Sequence, residues 1–130
     1  MELQRGVVRR DHDLADQVGK QLRKLATGIA NLKLSVLCGG IPLAPQLASL
    51  AHAPHVVVGT PGRVLELVQK DALDLRKVRT LVLDEADRML DMGFDEPIRA
   101  LVKRTPKERQ TLLFSATFPD TIRTLAKAML

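Results

Sequence analysis

Two stretches of this chain, Val56-Val57-Val58 and Leu81-Val82-Leu83, are apolar without a break. A strand with one face in water alternates apolar and polar residues, whereas a strand covered on both faces does not. Such runs predict a parallel sheet with helices on both of its faces. The same signal marks four strands: Leu34 to Cys38, His55 to Gly59, Thr80 to Asp84 and Thr111 to Ser115. A fifth, weaker strand covers Gly6 to Arg9.

Amphipathic stretches fill the gaps. Leu14, Val18, Leu22 and Leu25 recur at helical spacing and form one apolar stripe. Thr60-Pro61 reads as an N-cap followed by proline at the first helical position, with Val64, Leu67 and Val68 facing inward. Ile98, Leu101 and Val102 mark another helix, and Pro119 opens the last, with Ile122, Leu125, Ala126 and Met129 in register. Alternating strands and helices of this kind predict an α/β domain with right-handed crossovers. At 130 residues the chain suits one domain.

Composition narrows the chemistry. The chain has three Phe and no Trp or Tyr, so its core is aliphatic and it cannot grip a nucleic acid through stacked aromatic side chains. Its net charge of +5 suits a polyanionic partner, although many small domains are mildly basic. Cys38 is the only cysteine, which excludes an internal disulfide and a cysteine-based metal cluster. The apolar runs are too short to span a bilayer, and Met1-Glu2-Leu3-Gln4-Arg5 lacks the apolar core of a signal peptide. A cytoplasmic chain without a membrane partner is the expectation.

The strand Leu81-Val82-Leu83 runs into Asp84-Glu85-Ala86-Asp87. In open α/β sheets ligands bind beyond the carboxyl ends of the strands, so a buried strand would deliver Asp84 and Glu85 to a nucleotide. The first acid of such a pair can hold Mg²⁺ through water, and the second can orient and deprotonate an attacking water. A solvated turn after a strand has the same composition, and the pair alone does not distinguish the two. Thr60-Pro61-Gly62-Arg63 follows another apolar strand and opens a helix, where free N–H groups can receive a phosphate. The plain alternative is a capped helix with Arg63 in solvent. Ser115-Ala116-Thr117 ends a third strand, and its hydroxyls can either reach a neighbouring carboxylate such as Asp87 or cap the helix that follows.

Taken in order, TPGR, DEAD and SAT resemble motifs Ib, II and III of the DEAD-box RNA helicases, and Gly39-Gly40 matches that family's glycine doublet. The flanking residues Val82 to Phe94 and Arg109 to Thr117 are similar as well. The resemblance extends from about Leu14 onward and is closest to the bacterial DbpA-type group. It implies the N-terminal RecA-like domain of an ATP-dependent RNA helicase, with ATP and Mg²⁺ as cofactors and the RNA sugar-phosphate backbone as partner. By that resemblance Asp84 binds the metal through water and Glu85 is the general base. Asp87, Ser115 and Thr117 couple hydrolysis to RNA, and Gly39, Gly40, Thr60, Pro61, Gly62 and Arg63 lie along the RNA strand.

The chain departs from the family pattern in several places. No G-x-x-x-x-G-K-[ST] phosphate loop occurs in it, and the upstream Gln motif is missing too. Loss of the strand that precedes the phosphate loop would leave Thr111 to Phe114 as an exposed apolar edge. The position of motif Ia holds Arg10, Asp11, His12, Asp13, Leu14 and Ala15, in place of Pro-Thr-Arg-Glu-Leu-Ala. Arg5 to Arg9 reads as a poor central strand. The second RecA-like domain, which supplies arginines to the ATP site, is absent as well. The expectation is therefore a fragment, from a truncated or frameshifted reading frame, whose residues 1–130 form a partial helicase ATP-binding domain that is inactive alone. The alternatives are a non-catalytic RNA- or protein-binding module and a non-functional remnant.

Overall fold

The computed structural model describes residues 4–8 and 12–130, with side chains from Ala15 onward. The elements in chain order are β1 (Gln4–Val8), α1 (His12–Leu25), β2 (Leu34–Leu37), α2 (Leu43–Ser49), β3 (Val56–Gly59) and α3 (Pro61–Gln69). There follow β4 (Val78–Leu83), α4 (Ala86–Asp91), α5 (Asp95–Arg104), β5 (Gln110–Leu113) and α6 (Asp120–Met129). The strands form one sheet in the order β2-β3-β1-β4-β5, and every neighbouring pair is parallel. This is the parallel α/β architecture, with helices on both faces of the sheet, that the apolar runs predict.

The stretch that reads as a poor central strand does occupy the centre. β1 pairs with β3 on one side and β4 on the other. A parallel ladder is built from backbone groups, which every residue but proline carries in full, and Gln4–Val8 has no proline. Arg9 of the expected strand lies outside the described residues, as do Arg10 and Asp11 of the altered motif Ia.

Side chains of register partners share a face of the sheet, and successive residues alternate between faces. Val57, Leu81 and Leu83 point to one face. There they pack with Val64, Leu67 and Val68 of α3, Ile98 and Leu101 of α5, and Ile122, Leu125 and Met129 of α6. Val58 points to the other face, under Ala15, Val18 and Leu22 of α1. Val82 and Leu112 continue this second face across β4 and β5, yet Leu112 is 37% exposed and Phe114, just past β5, is 54% exposed. The second face is thus covered by α1 over its β2–β3 half and open over β5 among the described residues. β5 is a sheet edge with apolar residues showing, as the sequence leads one to expect.

Three details differ from the periodicity reading. Leu25, placed on the apolar stripe of α1, is 80% exposed. It is the last residue of that helix, where the chain turns into a short 3-10 segment, Ala26–Gly28. α2 and α4 leave no periodic mark in the sequence: seven and six residues are too few to show a helical stripe.

Gly59 ends β3 at the tightest point of the sheet. A Cβ there would sit inside van der Waals contact of the Leu37 carbonyl oxygen on β2 and of Val64 Cγ2 on α3. The carbonyl is part of the strand end and cannot yield as a side chain would. Gly59→Ala is expected to destabilise the chain by roughly 1–3 kcal/mol, the usual cost of overpacking. Urea unfolding followed by circular dichroism measures this, and an unchanged midpoint would contradict the packing described.

Candidate functional site

The register sets four loops at one level. Leu37 pairs with Gly59, Gly59 with Val8, Val8 with Leu83, and Leu83 with Leu113. The residues that follow all leave the sheet at its carboxyl rim: Cys38-Gly39-Gly40, Thr60, Asp84-Glu85 and Phe114-Ser115. Adjacent strands lie about 4.8 Å apart, so Thr60 and Asp84, two strands apart, are on the order of 10 Å from each other along the rim.

On the β4–β5 side the chain turns sharply after Asp84. Glu85 adopts the left-handed conformation, φ 54° and ψ 47°, which costs a residue with a side chain roughly 1–3 kcal/mol. Bonds on both sides hold the turn. Asp84 Oδ1 accepts the Glu85 N–H at 2.9 Å, and Glu85 O accepts the Met89 N–H at 3.0 Å. From β5, the Phe114 N–H bonds Leu83 O at 2.8 Å, and Phe114 O accepts the Ala86 N–H at 3.0 Å. Asp84 and Glu85 are both half-buried.

Asp87 is 8% exposed and joins this turn to the next loop. Its Oδ2 accepts the Thr117 hydroxyl at 3.0 Å and the Thr117 N–H at 3.2 Å. Its Oδ1 accepts the Arg88 N–H at 3.0 Å. Ser115 takes part differently: its hydroxyl accepts the backbone N–H of Asp87 at 3.2 Å and donates to Thr117 O at 2.6 Å. Burial pushes the Asp87 carboxyl upward, but the Thr117 hydroxyl and the Arg88 and Thr117 N–H groups outweigh it. The group stands below its ordinary value of 3.8.

On the β2–β3 side Thr60 sits at the N-cap position of α3, with Pro61 first in the helix, but its hydroxyl does not cap. It accepts instead the Gly39 N–H at 3.0 Å, since the end of β2 lies beside it. Gly40 has φ +80°, a conformation that favours glycine. A Cβ on Gly39 would meet only Thr60 Oγ1 at 3.8 Å, and one on Gly62 would meet nothing within 4 Å. Steric need within the chain therefore explains Gly40 and neither Gly39 nor Gly62. Arg63 is not a solvated side chain. Its Nη1 donates to Ile41 O and to Gln46 Oε1, each at 3.0 Å, and its Nε lies 3.1 Å from Glu66 Oε2. Gln46 escaped the sequence reading. Its Nε2 donates to Cys38 O at 3.0 Å, so its amide ties the end of β2 to Arg63. The signal that could have marked it is a glutamine set six residues after a glycine doublet, in a stretch of Leu, Ala and Pro.

The rim offers hard oxygen donors at Asp84 and Glu85. No group of three or more His, Cys, Asp or Glu that could hold a metal occurs among the described residues. No helix among them is long and apolar enough to cross a membrane.

Fold and rim together define a RecA-like α/β domain, with paired acids beyond one strand and a pinned basic helix start beyond another. A family model described as DEAD/DEAH box helicase matches residues 11–125, and the chain belongs to that family. The ATP-dependent RNA helicase DbpA of Escherichia coli K12 is 52% identical over 114 residues, which are 88% of this chain and 25% of that protein. The DEAD-box ATP-dependent RNA helicase CshA of Geobacillus kaustophilus is 46% identical over 121 residues, 93% of this chain and 26% of that one. The crystal structure of a DEAD box protein from the hyperthermophile Methanococcus jannaschii superposes with a TM-score of 0.91 at 37% identity, over 100% of this chain and 35% of that chain. The chain thus spans about a quarter of the length of these curated relatives.

The Asp87 bonds give a pH signature. A carboxyl held below its unfolded value adds stability above that value, and the contribution is lost as pH falls through the folded one. Thr117→Val is therefore expected to lower the urea midpoint near neutral pH. The gap to the unaltered chain should close as pH drops below 3.8. Midpoints measured across an acid titration check this, and a gap that persists unchanged in acid would refute the assignment.

Proposed function

We propose that this chain is the part of an ATP-dependent RNA helicase that carries its hydrolytic acids and its RNA-backbone surface. In this reading residues 1–130 are a partial helicase ATP-binding domain with the degenerate motif Ia, the glycine doublet and motifs Ib, II and III. The observation that carries the reading is the common rim: a single register row sets Asp84-Glu85 and the Gly39, Thr60 and Arg63 cluster at one level.

Asp84 and Glu85 fit a magnesium ion of the kind that takes one or two carboxylates and completes its shell with water and phosphate oxygens. When bound, MgATP supplies the phosphoryl group to be transferred and the charge that polarises it. Asp84 would hold the metal through water. Glu85, set in its strained turn, orients the attacking water and accepts its proton. Asp87 with Ser115 and Thr117 transmits the state of that turn to the β5 loop. Gly39, Gly40, Thr60, Pro61, Gly62 and Arg63 line the RNA strand. Contacts of this type recognise phosphate and sugar, so they carry no base specificity.

The phosphate loop is not encoded in these 130 residues, so the reading gives this segment the metal and RNA half of the work and not the nucleotide cradle. A second reading, a non-catalytic RNA- or protein-binding module, is favoured by a different observation: Thr60 and Arg63 are held by hydrogen bonds while the phosphate-loop motif is missing. The two differ in whether Glu85 matters.

A chimera decides between them. Residues 15–130 would replace the matching segment of Escherichia coli DbpA, and RNA-stimulated ATP hydrolysis would be followed. The chimera is expected to turn over. Glu85→Gln should lower kcat by about 10²–10⁴-fold with RNA binding retained. Arg63→Ala should instead raise the RNA concentration needed for half-stimulation. The 130-residue chain alone is expected to bind RNA without hydrolysis. Equal turnover with and without Glu85→Gln would remove the catalytic reading and leave the binding module.

A further inference from the structure

The buried residue of α2 is its glutamine. Leu47, the next residue, is 37% exposed, whereas Gln46 is 7% exposed. If α2 served only to pack against the sheet, the leucine would face inward, because burying an amide gains nothing unless both of its ends are bonded. Both are. The end facing Cys38 O must donate and the end facing the Arg63 guanidinium must accept, so the amide orientation is fixed by its partners. Glutamate could accept from Arg63 but, ionised, could not donate to Cys38 O. Lysine could donate and not accept. Leucine or methionine would do neither.

We propose that Gln46 is a positioning residue for RNA: its amide locks Arg63 and the turn at Gly39-Gly40 into one rigid phosphate-binding unit. The inference rests on the RNA-backbone reading of that cluster and deepens it. The side chain of Arg63 is long and would be mobile in solvent, yet here it is 13% exposed. Its Nη1 is shared between Ile41 O and Gln46 Oε1, and its Nε pairs with Glu66. Nη2 makes no hydrogen bond to another described residue, so one edge of the guanidinium remains for a phosphate. Through the opposite end of the same amide the carbonyl of Cys38 is held, and the Thr60 hydroxyl fixes the Gly39 N–H one residue on. Ordering these groups before RNA arrives removes that entropy cost from binding.

The test uses the 130-residue chain and a fluorescently labelled single-stranded uridine oligonucleotide, with anisotropy read over a salt series and circular dichroism as the fold control. Gln46→Met keeps the volume and removes both hydrogen bonds. It is expected to raise Kd roughly five- to tenfold and to reduce the slope of log Kd against log salt by about 0.7, the share of one phosphate contact on a single strand. In an Arg63→Ala background Gln46→Met should add no further loss, because it acts through that arginine. Gln46→Leu, which adds no charge and also removes both hydrogen bonds, should lower the slope in the same way, and it decides the matter if Gln46→Met alters the fold. The proposal is overturned if Arg63→Ala weakens binding while both Gln46 variants bind like the unaltered chain. It is overturned equally if the loss in Gln46→Met leaves the slope intact and adds in full to Arg63→Ala, which is the signature of a merely structural residue. If Arg63→Ala and the unaltered chain behave alike toward RNA, the reading beneath falls, and this inference with it.

Discussion

In a parallel sheet every strand ends on the same side, and here the register also makes the ends level. Leu37, Gly59, Val8, Leu83 and Leu113 form one continuous row of partners. The rest of the candidate chemistry is appended to that row. The row is possible because Gly59 has no Cβ: with one, β2 and α3 could not both close on the end of β3. A single backbone constraint, at the residue just before Thr60, thus bears on how Thr60 and Arg63 stand relative to the glycine doublet.

The acid turn stores strain that its surroundings must hold. A left-handed Glu85 would relax if the turn were free. It is instead bracketed by the two backbone bonds from Phe114 and by the threefold acceptance at Asp87. Apart from the Arg88 N–H, these bonds join two segments that are about thirty residues apart in sequence. The bonds between segments depend on β4 and β5 being neighbours and in register, so the sheet helps the turn's own bonds to sustain the strain at Glu85. The open second face over β5 does not enter this balance, because Leu81, Leu83 and Leu113 anchor the pair from the covered side.

The strands and the longer helices were legible in the sequence because burial on two faces leaves an unmistakable mark: Val56-Val57-Val58 and Leu81-Val82-Leu83 have no other comfortable environment. Three motifs in fixed order gave the family. What was not legible depends on geometry between elements. The central place of β1 is set by backbone pairing, to which a weak side-chain pattern is blind. Thr60 has the residue type of an N-cap, but the Gly39 N–H competes for its hydroxyl and wins. Leu25 continues the spacing of α1 to its last residue, where the chain turns into the 3-10 segment and the side chain is exposed. Gln46 looks like a polar residue on a short surface helix until Cys38 O and Arg63 are seen on either side of it.

The rim divides into two halves with different internal ties. On the β4–β5 side, hydrogen bonds through Asp87 join the acid turn to Ser115 and Thr117. On the β2–β3 side, Thr60 and Gln46 join the glycine turn to Arg63. β1 runs between them, paired to both β3 and β4. A change that moved the acid turn would reach the basic cluster most directly through the backbone of β1, since each half is stiff and β1 is the element they share. Each half can therefore keep its own bonds while its relation to the other changes.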